Sequence, residues 1–310
     1  MTRLVPSNNA PTTDTLVEDT FAEAFSMKFS RVVVTALDDH WLQTAAHNFC
    51  GYATSVIGCD AEVAVEGPVL EHETPDGRPG ISLLAFGFST DALGKAVANR
   101  VGQTLMTCPT TAVFNGLDAD KTIPVGKLIR FFGDGFQKSK VLGDRRFWRV
   151  PVMDGEFICE DQFGVGSGIA GGNLIVQAKS QLGCLQAVRS AVTAIQSLPG
   201  CITPFPGGVA RSGSKVGSRY AKQVASTAEA FCPTLKGRVS SQLHPQATCA
   251  YEIVIDAVDE TVLRQAMRLA VGTIQATLDT QDPLDVVRIS AGNYGGKLGK
   301  SLIYLRSLVD

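Results

Sequence analysis

The feature that most constrains the fold is the run Val32-Val33-Val34-Thr35, set inside the segment Lys28 to Leu37. Four β-branched residues in a row are stiff at χ1 and crowd a helix, so the run reads as a buried strand. The period changes directly after it. Asp38 or Asp39 can cap a helix whose apolar residues Trp41, Leu42, Ala45, Ala46 and Phe49 recur at helical spacing, with Gly51 as its stop. Two further strands are expected at Ala61 to Val65 and Ile81 to Phe86. Between them Glu73-Thr-Pro-Asp-Gly-Arg-Pro-Gly80 is a turn signal. Leu93, Val97, Val101 and Leu105 predict a helix over Thr90 to Thr107. Lys127 to Phe132 and Phe147 to Val152 can add strands. This order is that of a split β-α-β sandwich of ferredoxin-like type.

The second half repeats the theme. Strands are expected at Glu156 to Phe163 and Asn173 to Ala178. Ser180 then caps a helix with Leu182, Leu185, Val188, Val192 and Ile195 on one face. Cys249 to Ile255 reads as a strand, and Asp259 caps a helix through Leu263, Ala266, Met267, Ala270 and Ile274. Ile289 opens into Ser290-Ala-Gly-Asn293, and Leu302 to Leu308 can form a last strand. The expected architecture is α+β, with two similar ferredoxin-like α/β-sandwich lobes built on mainly antiparallel sheets. The expected boundaries are an N-terminal arm at 1–16, one lobe at 17–153 and a second at 154–310. Ile169-Ala-Gly-Gly-Asn173 and Ile289-Ser-Ala-Gly-Asn293 echo each other, a short hint of duplication.

Composition excludes some classes of function. A net charge of −2 over 310 residues supplies no basic surface for nucleic acid. No run of about 18 apolar residues exists to span a membrane. Met1 to Thr15 is polar, with Pro6 and Pro11, and lacks the apolar centre of a signal peptide. The eight cysteines include no Cys-x-x-Cys pair and, with four scattered histidines, make no zinc pattern. His40 and His47 share a helix face but are a poor metal site. A cytoplasmic protein with reduced core thiols is expected.

The chemistry gathers at Phe205 to Ser218. This acid-free stretch carries Arg211, Lys215, Ser212, Ser214 and Ser218 among four glycines, including Gly207 and Gly208. Backbone N–H groups beside two cations suit an anionic or carbonyl-bearing ligand; the alternative is a mobile surface loop. Gly166-Ser-Gly-Ile-Ala-Gly171 fits G-x-G-x-x-G, but a strand-like segment follows where a dinucleotide site needs a helix. These glycines are expected to form a loop where backbone passes near a ligand or a neighbouring subunit. Gly295-Gly-Lys-Leu-Gly-Lys-Ser301 looks like a P-loop, yet Tyr294 stands where the motif needs glycine. The nine residues after Ser301 leave no room for the capping helix. A Ser/Lys nucleophile at Ser212 to Lys215 is poorly placed, because adjacent residues rarely face each other. Glu252 lies inside an apolar strand, on the face of Val254. It is exposed if that face is open, which the residues alone favour, and a half-buried carboxyl with a raised pKa if both faces are covered.

At these residues the chain resembles the formylmethanofuran–tetrahydromethanopterin formyltransferase family. The likeness covers Glu18 to near the C-terminus. It rests on Glu18-Asp-Thr-Phe-Ala-Glu-Ala-Phe25, Glu73 to Gly80, Phe131-Phe-Gly-Asp-Gly135 and Ile169 to Asn173. Further blocks are Phe205-Pro-Gly-Gly208 with Arg211-Ser212 and Ser214-Lys-Val-Gly-Ser218, Tyr251-Glu-Ile-Val-Ile255, and Ser290 to Asn293 through Gly295-Gly-Lys-Leu-Gly299. The form is similar to that of one-carbon-oxidising bacteria, where the family member is a component of a formyltransferase/hydrolase complex. The resemblance implies two α/β lobes, a homo-oligomer (dimer or tetramer) with its active site at a subunit contact, and no metal or bound prosthetic group. It implies transfer of a formyl group between N5 of tetrahydromethanopterin and the amine of methanofuran, both as substrates. The family's catalytic carboxyl carries over to Glu252, overturning the exposed reading. Gly171, Gly172, Asn173, Gly207, Gly208, Arg211, Ser212, Ser214 and Lys215 are the expected substrate-binding residues. Departures from the family pattern are Gly166-Ser167 for an expected Thr-Thr pair and Gly213 for an expected Ala.

Overall fold

The computed structural model describes residues 16–280 and 285–309. Most of the expected arm at 1–16 therefore lies outside the described residues. The first strand, β1 (Phe21–Thr35), is 15 residues long and ends in the β-branched run. Helix α1 (Asp39–Cys50) follows, with Asp38 as its N-cap and Leu42, Ala45, Ala46 and Phe49 buried. His40 and His47 are exposed on it. Then come β2 (Glu62–Val69), β3 (Gly80–Gly87), α2 (Thr90–Arg100) capped by the Ser89 hydroxyl, and β4 (Ala112–Asn115). After β5 (Thr122–Ile123) and α3 (Val125–Ile129) the chain forms an antiparallel meander, β6 (Lys138–Leu142), β7 (Arg145–Val152) and β8 (Gly155–Glu160).

The second half contains β9 (Phe163–Gly164), the 13-residue β10 (Gly166–Ala178), α4 (Gln181–Ile195) and β11 (Cys201–Ile202). A long irregular stretch carries only β12 (Lys215–Val216) and β13 (Ala225–Ser226). Last come β14 (Cys249–Ala257), α5 (Glu260–Thr280), β15 (Val286–Ser290) and β16 (Ser301–Tyr304). The Asp259 carboxylate caps α5 by accepting from the Val262 amide at 2.9 Å.

The main strands join in one mainly antiparallel sheet, in the order β11-β14-β10-β1-β4-β8-β7-β6, with β3 and β16 also on β1, β2 on β3 and β15 on β10. Among its described pairings, β4 with β8 is parallel. The long first strand makes this continuity possible. Phe25 to Phe29 pair with Ala170 to Gly166, Phe21 to Ala24 pair with β16, and Lys28 to Thr35 pair with β3. Helices α1 and α2 cover one large apolar core, and α4 and α5 cover another. A smaller cluster of Met27, Phe29, Leu84, Phe86, Ala170 and Ile202 fills the junction.

Several expectations are corrected. Lys127 to Phe132 is not a strand: α3 and a 3-10 turn (Arg130–Gly133) occupy it. Val125 and Ile129, four apart, are the buried pair there, a helical spacing. The expected helix over Thr90 to Thr107 is α-helical only to Arg100 and continues as a wider π turn over Val101–Leu105. On α4, Leu182 and Leu185 lie on the exposed side, while Cys184, Ala187, Val188, Ala191, Val192 and Ile195 form the buried stripe. The last strand stops at Tyr304, and Leu305–Leu308 is a 3-10 turn. The glycines 166–172 are strand, not loop. Side chains at Gly166 and Gly168 would strike the Phe29 ring, so these glycines let an aromatic of β1 lie flat on β10.

A comparable close approach seats α3. A Cβ at Gly126 would lie 2.3 Å from the backbone oxygen of Glu160. Gly126→Ala should therefore destabilise by about 1–3 kcal/mol despite alanine's higher helix propensity. The midpoint of chemical unfolding checks this; a stabilised variant would contradict the packing.

Candidate active site

Strand β14 alternates between two destinations. Tyr251, Ile253 and Ile255 enter the core beneath α4 and α5. Glu252, Val254 and Asp256 point the other way, and that face is covered too: Glu252 is 4% exposed. Two neighbours hold it. Register pairs Ile175 of β10 with Glu252, which sets Asn173 diagonally beside it. Asn173 Nδ2 donates to Glu252 Oε1 at 2.7 Å, and Ser214 Oγ donates to the same oxygen at 2.7 Å. The loop bearing Ser214 is clipped to this strand by a two-way backbone bridge. The Ala210 amide donates to the Glu252 carbonyl at 2.7 Å, and the Glu252 amide donates back at 3.2 Å.

The other carboxyl oxygen, Oε2, is buried and makes no hydrogen bond among the described residues. Burial pushes the carboxyl above its usual range, and the Ser214 and Asn173 donors only partly offset this. The shift is toward the proton-bearing form, and Oε2 is the unpartnered oxygen.

Two cavities meet here. The larger, about 350 Å³, is walled by apolar side chains including Phe25, Met27, Phe88, Phe205 and Val254. The smaller, about 220 Å³, is lined by Glu252, Lys215, Glu229, Gln242 and Asn293 among others. Asn173, Ser214, Gly292 and Tyr294 line both. The echoed segments converge at this point, because the Gly292 amide donates to Asn173 Oδ1 at 3.1 Å.

The expected binding residues divide. Asn173, Ser214 and Lys215 stand at the cavities, and Gly171 lines the larger one. The Lys215 ammonium is not free for a ligand; it pairs with Glu229 at 2.5 Å, an acid from outside the acid-free loop. Gly172 lies under Leu263, where a Cβ would approach to 2.5 Å, and so serves packing. Gly208 plays a similar part beneath Val192 and Thr203. Gly207, Arg211 and Ser212 are exposed on the loop, and none of them lines either cavity.

Sequence reasoning missed three acids. Glu23 accepts from the amides of Tyr294, Gly296, Leu298 and Gly299. A protein carboxylate thus fills the P-loop-like turn, which leaves those amides no phosphate to bind. Glu62 of β2 and Asp256 of β14 form the other feature, a carboxyl pair reaching across from the two halves of the sheet. Glu62 accepts from the Val56 amide at 2.9 Å and Asp256 from the Gly171 amide at 3.0 Å. Burial raises the pKa of both, and that of Asp256 well above its ordinary value, with the nearby Glu62 carboxyl adding to the rise. The available signal was a charge inside an apolar strand: Glu23 between alanines, and Asp256 four residues beyond Glu252 on the same face.

The family description "Formylmethanofuran-tetrahydromethanopterin formyltransferase" matches residues 11–152, and its proximal-lobe counterpart matches residues 155–308. The chain belongs to this formyltransferase family. It is 48% identical to the formylmethanofuran–tetrahydromethanopterin formyltransferase of Methylobacillus flagellatus, over 94% of this chain and 97% of that one. Among solved structures, it is similar to the formyltransferase/hydrolase complex from Methylorubrum extorquens in complex with methylofuran. There the TM-score is 0.89 at 45% identity, covering 95% of this chain and 96% of that one. The formyltransferase from Methanosarcina barkeri gives a TM-score of 0.86 at 41% identity, over 96% and 99% of the two chains. The two-lobed α/β fold expected from the sequence is that of the family. Among the described residues, no helix is long and apolar enough to cross a membrane.

The Glu62–Asp256 pair has a measurable signature. A carboxyl whose folded pKa is raised stabilises the fold relative to its ionised form below the unfolded value near 4, and that contribution is lost as pH rises toward the folded pKa. Stability should fall with rising pH by up to about 1.4 kcal/mol per pH unit for each retained proton. Asp256→Asn removes the carboxyl whose pKa is raised most and should flatten the slope. Thermal unfolding from about pH 5 to 8 checks it; an unchanged slope would show that the pair holds no proton.

Proposed function

We propose that this chain is a formyltransferase moving a formyl group between N5 of tetrahydromethanopterin and the amine of methanofuran. The observation that carries the reading is Glu252, a buried carboxyl favoured in its protonated form, with one oxygen fixed by Asn173 and Ser214 and the other unpartnered. Membership of the family and the names of the relatives support the substrate assignment.

The amine of one carrier attacks the formyl carbon held on the other. A tetrahedral intermediate forms with negative charge on the former carbonyl oxygen. The protonated Glu252 Oε2 donates a hydrogen bond to that oxygen, and stabilisation grows as its charge develops. The attacking nitrogen gives up a proton, the bond to the departing nitrogen breaks and that nitrogen takes up a proton, so the net proton count is unchanged. Two cavities sharing the residues around Glu252 suit two carriers brought edge to edge, and the positioning itself supplies much of the rate. The larger, apolar cavity with Phe25, Phe88 and Phe205 suits an aromatic ring system. Anionic tails meet Arg211 on the exposed loop, and Lys215 as it exchanges Glu229 for the ligand.

A homo-oligomer with the cleft at a subunit contact, and association with hydrolase subunits, belong to the same reading; the Methylorubrum relative is named as one component of a formyltransferase/hydrolase complex. The boundaries 17–153 and 154–310 remain our division into lobes, and we place the protein in the cytoplasm, in line with its eight free thiols. Glu252 and its two donors favour catalysis over a purely scaffolding role, which has no need of a protonated, unpartnered carboxyl.

Glu252→Gln keeps shape and the contacts to Asn173 and Ser214 but donates a weaker hydrogen bond. Transfer should fall by about 10²-fold or more while both carriers still bind. Loss of formyl-tetrahydromethanopterin that depends on methanofuran, followed by absorbance, measures the rate. Near wild-type turnover in the variant would remove Glu252 from the mechanism.

A further inference from the structure

Ser214 donates to Glu252 from a loop in which Gly213 and Gly217 flank it with φ of +72° and +85°. The loop's own ties are the two-residue β12–β13 pair, the Ala228 amide on the Ser212 carbonyl and the Lys215–Glu229 pair. A phenol from outside the loop fastens it further. Tyr294 Oη accepts from the Val216 amide at 3.1 Å and donates to the Ser214 carbonyl oxygen at 3.1 Å. It therefore holds the backbone on both sides of Lys215.

Tyr294 is anchored in turn by Glu23. That carboxylate takes the Tyr294 amide at 2.6 Å, the Leu298 amide at 3.1 Å, the Gly299 amide at 2.9 Å and the Gly296 amide as well. Burial works against its charge, but the four amides outweigh burial and hold Glu23 below its usual range. Burial, with the Glu23 carboxylate adding to it, raises the Tyr294 pKa and keeps the phenol able to donate.

We propose that Tyr294 is a positioning residue of the formyl-transfer site: its hydroxyl fixes Ser214 for donation to Glu252, and the Glu23 carboxylate fixes Tyr294. The proposal rests on Glu252 as the reacting acid. The Glu23 and Glu252 links join a strand to a loop, and the Tyr294 hydroxyl joins the two loops to each other. Glu23 lies on β1 and Glu252 on β14, so the relay ties the loops at 213–217 and 294–299 to the main sheet. The other ionisable groups facing Glu252 across the smaller cavity are Lys215 and Glu229, and they pair with each other.

The test is a kinetic comparison of Y294F, S214A, their double variant, E23Q and E252Q, each over a range of pH. Y294F keeps the ring that lines both cavities and removes only the hydroxyl. It should lower kcat about 10-fold with little change in KM for either carrier. The Ser214 donor favours ionised Glu252, so loosening it raises the Glu252 pKa. The alkaline limb of kcat should accordingly move to higher pH in Y294F and S214A alike. The double variant should be no slower than the slower single variant, because both act through one contact. E23Q should shift the limb in the same direction and supplies the test if Y294F folds poorly. Losses that multiply in the double variant, or a rate loss in Y294F without movement of the limb, would overturn the relay. Wild-type kcat in Y294F beside an inactive E252Q sinks the relay alone. Wild-type turnover in E252Q sinks the catalytic reading and the relay with it.

Discussion

Strands β1 and β10 share a ladder from Phe25–Ala170 to Phe29–Gly166, and the relation of the two halves depends on it. The ladder requires two backbones to approach with the Phe29 ring lying over one of them. Glycine at 166 and 168 is the physical condition for this, because any Cβ there would meet that ring. Once the ladder forms, two sheets that could each have closed as a separate sandwich become one surface. The junction cluster of Met27, Phe29, Leu84, Phe86, Ala170 and Ile202 then excludes water from the join.

The second face of β14 is covered as well, by the loop bearing Ser214 over Glu252 and by Glu62 of β2 beside Asp256. A strand with one apolar face would leave Glu252 and Asp256 in solvent. Here both are buried, and their pKa values rise because burial disfavours charge. The two acids are satisfied differently. Asp256 lies near the Glu62 carboxyl of the opposite half and accepts from the Gly171 amide. Glu252 meets two neutral donors on one oxygen and leaves the other unpartnered. Glu252 lines the smaller cavity, and catalysis is assigned there.

The irregular chain between β11 and β14 would be unfit to position anything by itself. It becomes part of the site because three contacts attach it to strands: the Ala210–Glu252 backbone bridge, the Ser214–Glu252 hydrogen bond and the Tyr294 staple. The glycines in this loop let it adopt the necessary turns at an entropic cost, and the attachments hold the resulting conformation. Lys215 shows the same dependence from the opposite side. It looked like an unpaired cation in an acid-free segment, and Glu229 neutralises it after the chain turns back through β13.

Local pattern made much of this molecule legible. The β-branched run before Asp38, the caps at Asp38, Ser89, Ser180 and Asp259, and the stripe Leu263, Ala266, Met267, Ala270 and Ile274 each express a preference confined to one turn or one strand. Ordered blocks of sequence were specific enough to indicate the family and to single out Glu252. Residue pattern alone read Glu252 as exposed, because alternation reports which residues share a face and is silent about what covers that face. The same silence hid Glu62 with Asp256 and Glu23 with the 294–299 amides, pairs separated by about two hundred residues or more. It also turned the glycines at 166–172 into an expected loop, since the ring that needs their missing side chains belongs to another strand. The sequence by itself determined most of the elements and the family, and it pointed to Glu252. Tertiary structure alone decided which acids keep a proton, because burial and hydrogen-bond partners at long range set that balance.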